Sequence, residues 1–230
     1  FRCDDRRWFR WWCVGVLLAV IAQGALGGAR VVLDQRTFAM IHGCTGPLFF
    51  AIATATAVMS SRWWLRSQSM VGATRGVAWL ATLLAVTSYC QLILGAQLRH
   101  VTAAVSHTSF MAFVHTHLTL AGLVTLLTLC LVGSALASRV CEPRIRRPAG
   151  LILLVVVLQI GLGIGTWIVN YALPWSEATS SLAGYTIAAK GFWESLIVTA
   201  HMAIGSLIIS LACLVALRAW RTIPARHVSE

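Results

Sequence analysis

The chain has 230 residues, of which 58% are hydrophobic and only 11% are charged, and its mean hydropathy is +0.80. A soluble domain is about half apolar and a quarter charged, so this composition excludes an ordinary soluble globular protein. The formal net charge of +11 is compatible with nucleic-acid binding. However, the arginines lie between apolar blocks, which is typical of membrane topology and argues against a nucleic-acid partner.

Six apolar blocks of about twenty residues follow one another along the chain, and this length matches the thickness of a bilayer core. The blocks are apolar nearly all round, whereas a soluble helix keeps a polar face. The sequence therefore predicts an all-α, polytopic transmembrane helical bundle that forms a single membrane domain over residues 1–230. The predicted helices cover about 11–29, 41–60, 76–97, 111–136, 149–171 and 195–218, and the longest loop covers about 172–194.

The basic residues predict the orientation of the bundle, because cytoplasmic segments carry an excess of arginine and lysine. Fourteen lie before the first helix, in the loops after the second and fourth helices, and after the sixth. Only Arg30, Arg36, Arg99 and Lys190 lie on the other side. Both termini are therefore predicted to be cytoplasmic. The chain starts at Phe1 without a signal-peptide pattern, which suggests a piece of a longer protein.

A Gln-x-x-x-Gly motif recurs in the three odd-numbered helices. It occupies residues 23–27, 91–95 and 159–163, at two steps of 68 residues. One such match is weak evidence, since small residues are common at contacts between membrane helices. Three matches at equal spacing indicate a repeat whose unit is a helical hairpin, so the bundle is predicted to contain three hairpin repeats.

Histidines lie early in each even-numbered helix, at His42, at His115 and His117, and at His201. They share one depth, and an ionisable residue inside a membrane is by default a functional candidate. Residues two apart point about 200° away from each other, so only one of His115 and His117 can face a given site, and His117 is preferred. Alternatively, each histidine only hydrogen-bonds a neighbouring helix.

The positions four residues after His42, His117 and His201 are Gly46, Ala121 and Gly205. Residues four apart share a helix face, so these small residues are predicted to leave a slot for a flat group beside each imidazole.

Two imidazoles from facing helices suit heme iron, whereas the cysteines and carboxylates that complete a zinc site are absent from the pattern. His42, His117 and His201 are therefore predicted as axial ligands of heme iron. Arg30 and Arg99 follow their glutamines by seven and eight residues. They are predicted either to bind heme propionates through paired hydrogen bonds or to extend towards the membrane surface as ordinary interfacial residues.

These residues resemble the heme A synthase family in their order and spacing over nearly the whole chain. The stretches that carry the resemblance are QGALGGARV (23–31), IHG (41–43), QLILGAQLRH (91–100), HLTLAG (117–122), QIGLG (159–163) and AHM (200–202). The resemblance implies an eight-helix bundle in two four-helix halves, each offering a pair of histidines to one heme. One site is expected to hold a structural heme b. The other takes heme O, whose ring methyl is oxidised to a formyl group to give heme A for terminal oxidases.

On this plan the six helices correspond to the family's third to eighth. The sequence is then either a piece of an N-terminally incomplete eight-helix bundle or a shortened relative that binds heme without this reaction. His117 and His201 would be an intact ligand pair, and His42 would be the remaining member of the other pair. Its partner histidine and the family's glutamate would precede Phe1, so no catalytic residue is assigned.

The resemblance implies a bacterial inner-membrane location. The implied partners are the lipid bilayer, heme, and heme O synthase or terminal oxidase assembly factors. The alternatives are a bis-histidine electron carrier of the cytochrome b type, and a transporter or structural membrane protein without heme.

Overall fold

The computed structural model describes residues 5–67, 71–101, 105–171 and 191–223, and these ranges are helical without strands. The helices are α1 (Arg7–Val32), α2 (Arg36–Ser60), α3 (Arg62–Arg66), α4 (Arg75–Arg99), α5 (His107–Ala137), α6 (Pro143–Tyr171) and α7 (Phe192–Arg221). All but α3 are long and apolar enough to cross a membrane. The predicted all-α transmembrane fold class is therefore confirmed, and the chain is an integral membrane protein.

The helices extend beyond the apolar blocks that predicted them, because their polar ends are also helical. Helix α5 begins four residues before the predicted start, where the Ser106 hydroxyl accepts a hydrogen bond from the backbone N–H of Ser109. Thr74 caps α4 in the same way through Val77. These are ordinary N-cap residues. The short helix α3 was not predicted, and the predicted loop 172–194 lies outside the described residues except for 191–194.

Helices α4 to α7 form a four-helix ring in which each helix packs against the next and α4 closes the ring against α7. Helices α5 and α7 are therefore diagonal to each other across the ring. The hairpin of α1 and α2 attaches to this ring through α2, which packs mainly against α7, and α1 packs mainly against α2. Asp34, in the three-residue turn of this hairpin, has a positive φ of 46°.

The two ends of the bundle differ in composition and packing. We call one the arginine-rich end; it holds the N-termini of α1, α4 and α6. The other is the histidine end, where α2, α5 and α7 begin. The core of the ring is tightest towards the arginine-rich end, where one cluster contains several fully buried side chains. They include Val77, Leu84, Leu131, Ile145, Ile152 and Val215.

Polar contacts hold helix α3 in position at the arginine-rich end. The Trp63 indole donates to both carboxylate oxygens of Glu142, at 3.0 and 3.2 Å. The Arg221 side chain donates to the Trp64 carbonyl at 3.3 Å, and its guanidinium lies 4.8 Å from the Trp64 ring centroid. These contacts tie α3 to the start of α6 and to the end of α7.

Closer to the histidine end, the ring has a zone without buried side chains, which we call the packing gap. It comprises residues 89–95, 115–123, 157–170 and 199–207 of the four helices. Beyond it, a second cluster of Val101, Phe110 and Val114 is buried again. Protein interiors are normally close-packed, so this zone is packed less tightly than the two layers that flank it.

Candidate functional site

Each of the three histidines lies directly against the glycine of the Gln-x-x-x-Gly motif in the preceding long helix. A Cβ atom placed on Gly27 would lie 3.1 Å from Cε1 of His42. The corresponding distances are 3.2 Å from Gly95 to His117 and 3.1 Å from Gly163 to His201. Carbon atoms normally approach to about 3.5–4.0 Å, so only glycine allows the rings to lie this close. The repeat found in the sequence is therefore a repeated contact between a histidine and a glycine.

In the first and third motifs, the glutamine explains the glycine four positions after the histidine. A Cβ atom on Gly46 would lie 3.0 Å from Nε2 of Gln23, and one on Gly205 would lie 3.1 Å from Nε2 of Gln159. The prediction that these glycines leave a slot for a flat group is therefore wrong, because glutamine amides occupy the space. The motifs are reciprocal, with glutamine against glycine and glycine against histidine, as expected for two antiparallel helices.

The glutamine is hydrogen-bonded in the first hairpin but not fully in the third. Gln23 Nε2 donates to the His42 carbonyl at 3.1 Å, and the Thr45 hydroxyl donates to Gln23 Oε1 at 2.7 Å. Gln159 Oε1 is buried without a partner. The residue equivalent to Thr45 is Ile204, which carries no hydroxyl. The hydrogen bonds of the glutamine side chain are thus more complete in the first hairpin than in the third.

The imidazole rings share one orientation, in which Nδ1 of His42, His117 and His201 is buried without a hydrogen bond. The backbone carbonyl of Gln91 lies near the His117 ring, and that of Gln159 lies near the His201 ring. Neither pair is aligned as a hydrogen bond. A small rotation of the ring would let Nδ1–H donate to this carbonyl, which is how proteins commonly orient a metal-binding histidine.

His117 and His201 project from the diagonal helices α5 and α7, and both lie within the packing gap. Their charges are close enough to interact. His115 is exposed, whereas His117 is half-buried against Gly95, so the structure places His117 and not His115 in this contact. His42 lies on the other hairpin, where α1 is its neighbour.

The two predicted arginines lie at the histidine end. Arg30 is exposed in the last turn of α1, and Arg99 is half-buried at the end of α4. Arg99 Nη1 contacts the sulfur of Met202 at 3.2 Å. The charge of Arg30 acts on Arg99, so the structure brings the two arginines together although they belong to different repeats.

A metal bound by many protein ligands does not fit the described part of the chain, which contains no group of three or more His, Cys, Asp or Glu side chains. A planar cofactor would need only one or two axial ligands, which histidines supply. His117 and His201 lie in the packing gap, and their Nδ1 atoms are buried without a hydrogen-bond partner.

Sequence reasoning missed the pairing of Gln23 and Gln159 with a glycine and the contact of Met202 with Arg99. Both depend on which helices face each other, and the hydrophobic pattern does not specify this. The steps of 68 residues were the only available signal for the first.

Comparison of the chain with models of protein families, with curated proteins and with solved structures gave no match.

Proposed function

We propose that this protein is a heme-binding membrane oxidoreductase that holds a structural heme b and oxidises a ring methyl of heme O to a formyl group, as a heme A synthase does. The observation that carries the proposal is the packing gap, which lies at the level of His117 and His201. Bound heme supplies the iron whose redox chemistry such an enzyme uses.

The ring of α4 to α7 suits the structural heme b. Its two histidines approach from diagonal helices, and apolar clusters close the gap towards both ends. Gly95 and Gly163 let the imidazoles lie against α4 and α6. The carbonyls of Gln91 and Gln159 lie near these rings, and a rotation of each ring would let Nδ1–H donate to them and would leave Nε2 for the iron.

The hairpin of α1 and α2 suits the heme O substrate, which must enter and leave. His42 has the same glycine contact as the other two histidines. However, α1 packs mainly against α2 and has an apolar outer surface, so the His42 side is more open than the ring. Arg30 and Arg99 at the histidine end would bind propionate groups by paired hydrogen bonds.

A bis-histidine electron carrier is the second candidate, and the positions of the carboxylates favour it. With water as the oxygen source, conversion of a methyl to a formyl group gives up four electrons and four protons, so the reaction needs an external electron acceptor and a proton acceptor near the substrate. The described carboxylates lie before α1, in the turn after α1, at the start of α6 and in the first turn of α7; they are Asp5, Asp34, Glu142 and Glu194. An electron carrier would need only the histidine pair.

Production of the full chain in a bacterial host that makes heme O but no heme A separates these functions. The proposal expects heme A among the extracted hemes, and expects His42→Ala to abolish it while heme b is retained. Heme b without heme A in the unaltered protein would support the electron carrier instead. Protein that is folded but contains no heme would refute both functions.

A further inference from the structure

Four basic groups from three helices meet at the histidine end, and we call them the basic cluster. They are Arg30 at the end of α1, Arg36 at the start of α2, Arg99 at the end of α4 and His100, which caps α4. The charge of Arg30 acts on Arg99, and those of Arg99 and Arg36 act on His100. The ends of α1, α2 and α4 therefore share one electrostatic environment, although α4 is far from α1 and α2 in sequence.

The three arginines of this cluster form no ion pair among the residues that the structure describes, although Asp34 lies in the turn between Arg30 and Arg36. Arg30 and Arg36 are exposed. Arg99 is half-buried, yet its hydrogen-bond acceptor is the Met202 thioether, which is a weak acceptor. A guanidinium has five N–H donors, so most of the donor capacity of Arg99 is unused.

The surroundings add to the positive potential. Helix α2 begins at Arg36, and its N-cap residue Gln35 makes no side-chain cap, so backbone N–H groups also point towards this end. Burial, followed by the charges of Arg99 and Arg36, lowers the pKa of His100. Like charges at close range are unfavourable, and an anion bound among them would remove that penalty.

The position of Arg99 relates the cluster to both histidine sites. Its contact Met202 directly follows His201 on α7, and the Met202 methyl lies 3.7 Å from a Cβ placed on Gly43, the residue after His42. Arg30 and Arg99 follow the glycines Gly27 and Gly95 by three and four residues, or about 4.5 and 6 Å along the helix axis. Arg99 and Arg30 would therefore be near a group held at either histidine site.

We propose that the basic cluster is one carboxylate site shared by the two histidine sites, so that propionates of a porphyrin at His42 and of a porphyrin at His117 and His201 bind the same arginines. This inference rests on the proposed function. The third repeat differs, since α6 carries Thr166 and Trp167 where α1 and α4 carry Arg30 and Arg99. The propionate carboxylates of both porphyrins are therefore expected to bind at the junction of α1, α2 and α4.

The test is a titration of the purified full chain with hemin and with its dimethyl ester, which lacks free carboxylates. Arg99→Gln and Arg36→Gln are compared with Arg75→Gln, which alters the opposite end of α4. We expect Arg99→Gln to weaken hemin binding roughly tenfold or more and to leave binding of the ester nearly unchanged. Arg75→Gln should change the binding of neither porphyrin. Equal weakening of both porphyrins, or of neither, would overturn the carboxylate site.

Sharing is tested in two backgrounds that each leave one histidine site. Arg99→Gln should weaken hemin binding both in His42→Ala protein and in His201→Ala protein. An effect in one background only, or no binding at all in the second, means that the cluster serves a single site and overturns the sharing.

Two further outcomes identify other causes. If Arg99→Gln removes stabilisation by added phosphatidylglycerol without affecting the preference for hemin over the ester, the cluster is a lipid phosphate site and the inference is wrong. If neither porphyrin binds the unaltered protein, the proposed function has failed together with the carboxylate site. If heme binds but the arginine substitutions have no effect, only the carboxylate site has failed.

Discussion

The contact between Gly163 and His201 predicts that a single added methyl group weakens heme binding. In Gly163→Ala the new Cβ atom would lie 3.1 Å from the Cε1 atom of His201. This is about 0.4–0.9 Å inside a normal carbon–carbon contact, so either the imidazole tilts or α6 and α7 separate.

The size of the effect follows from the cost of displacing a side chain. Holding the imidazole away from its preferred rotamer, with some overpacking, costs roughly 1–2 kcal/mol. Because 1.4 kcal/mol is a factor of ten in affinity, heme binding should weaken roughly 5- to 30-fold. Protein produced without heme is titrated with hemin, and the Soret absorbance gives the dissociation constant.

Gly161→Ala is the matched control, since it lies on the same helix and a Cβ there meets nothing within 4 Å. Alanine is also the better helix former, so this variant should bind heme as the unaltered protein does. If Gly163→Ala binds heme as tightly as Gly161→Ala, the glycine does not position the imidazole and the account of the repeated motif is wrong.

Three further predictions concern single contacts. His117→Ala or His201→Ala should abolish the low-spin heme spectrum, whereas His115→Ala, which alters an exposed residue, should retain it; the reverse pattern would reject the chosen pair. Gln23→Met should lower the free energy of unfolding by about 1 kcal/mol more than Gln159→Met, because only Gln23 has hydrogen-bond partners for both its amide nitrogen and its amide oxygen. Equal thermal midpoints of the two variants in detergent would contradict this. Trp63→Phe should lower the free energy of unfolding by about 1–2 kcal/mol through loss of the hydrogen bond to Glu142. Trp193→Phe, which alters a side chain that is 70% exposed, should have no effect. Matching thermal midpoints for the two variants would show that the hydrogen bond does not stabilise α3.

The long helices could be predicted from the sequence because the bilayer requires continuous apolar segments of a set length. Their ends could not, since residues such as Arg7 and His107 are polar yet helical. The five-residue helix α3 has no apolar block, and its signal was only the capping serine Ser61. Hydropathy therefore indicates the spans but not the shorter elements between them.

The histidines and glycines of the candidate site could be singled out because they recur at matched positions. What each one touches could not be predicted, since this depends on the rotation of each helix against its neighbour. The space beside Gly46 and Gly205, four residues after His42 and His201, was therefore wrongly assigned to a flat group, and Gln23 and Gln159 fill it. The convergence of Arg36 and His100 with Arg30 and Arg99 likewise follows from the packing of α2 beside α4.

The measurement that most directly tests the central claim is an optical spectrum of the purified protein, oxidised and dithionite-reduced, with a pyridine hemochrome assay. We expect a sharp reduced α-band and about one tightly bound heme b per chain, which His117 and His201 would ligate. Folded protein from cells with ample heme that shows no heme absorbance would contradict it.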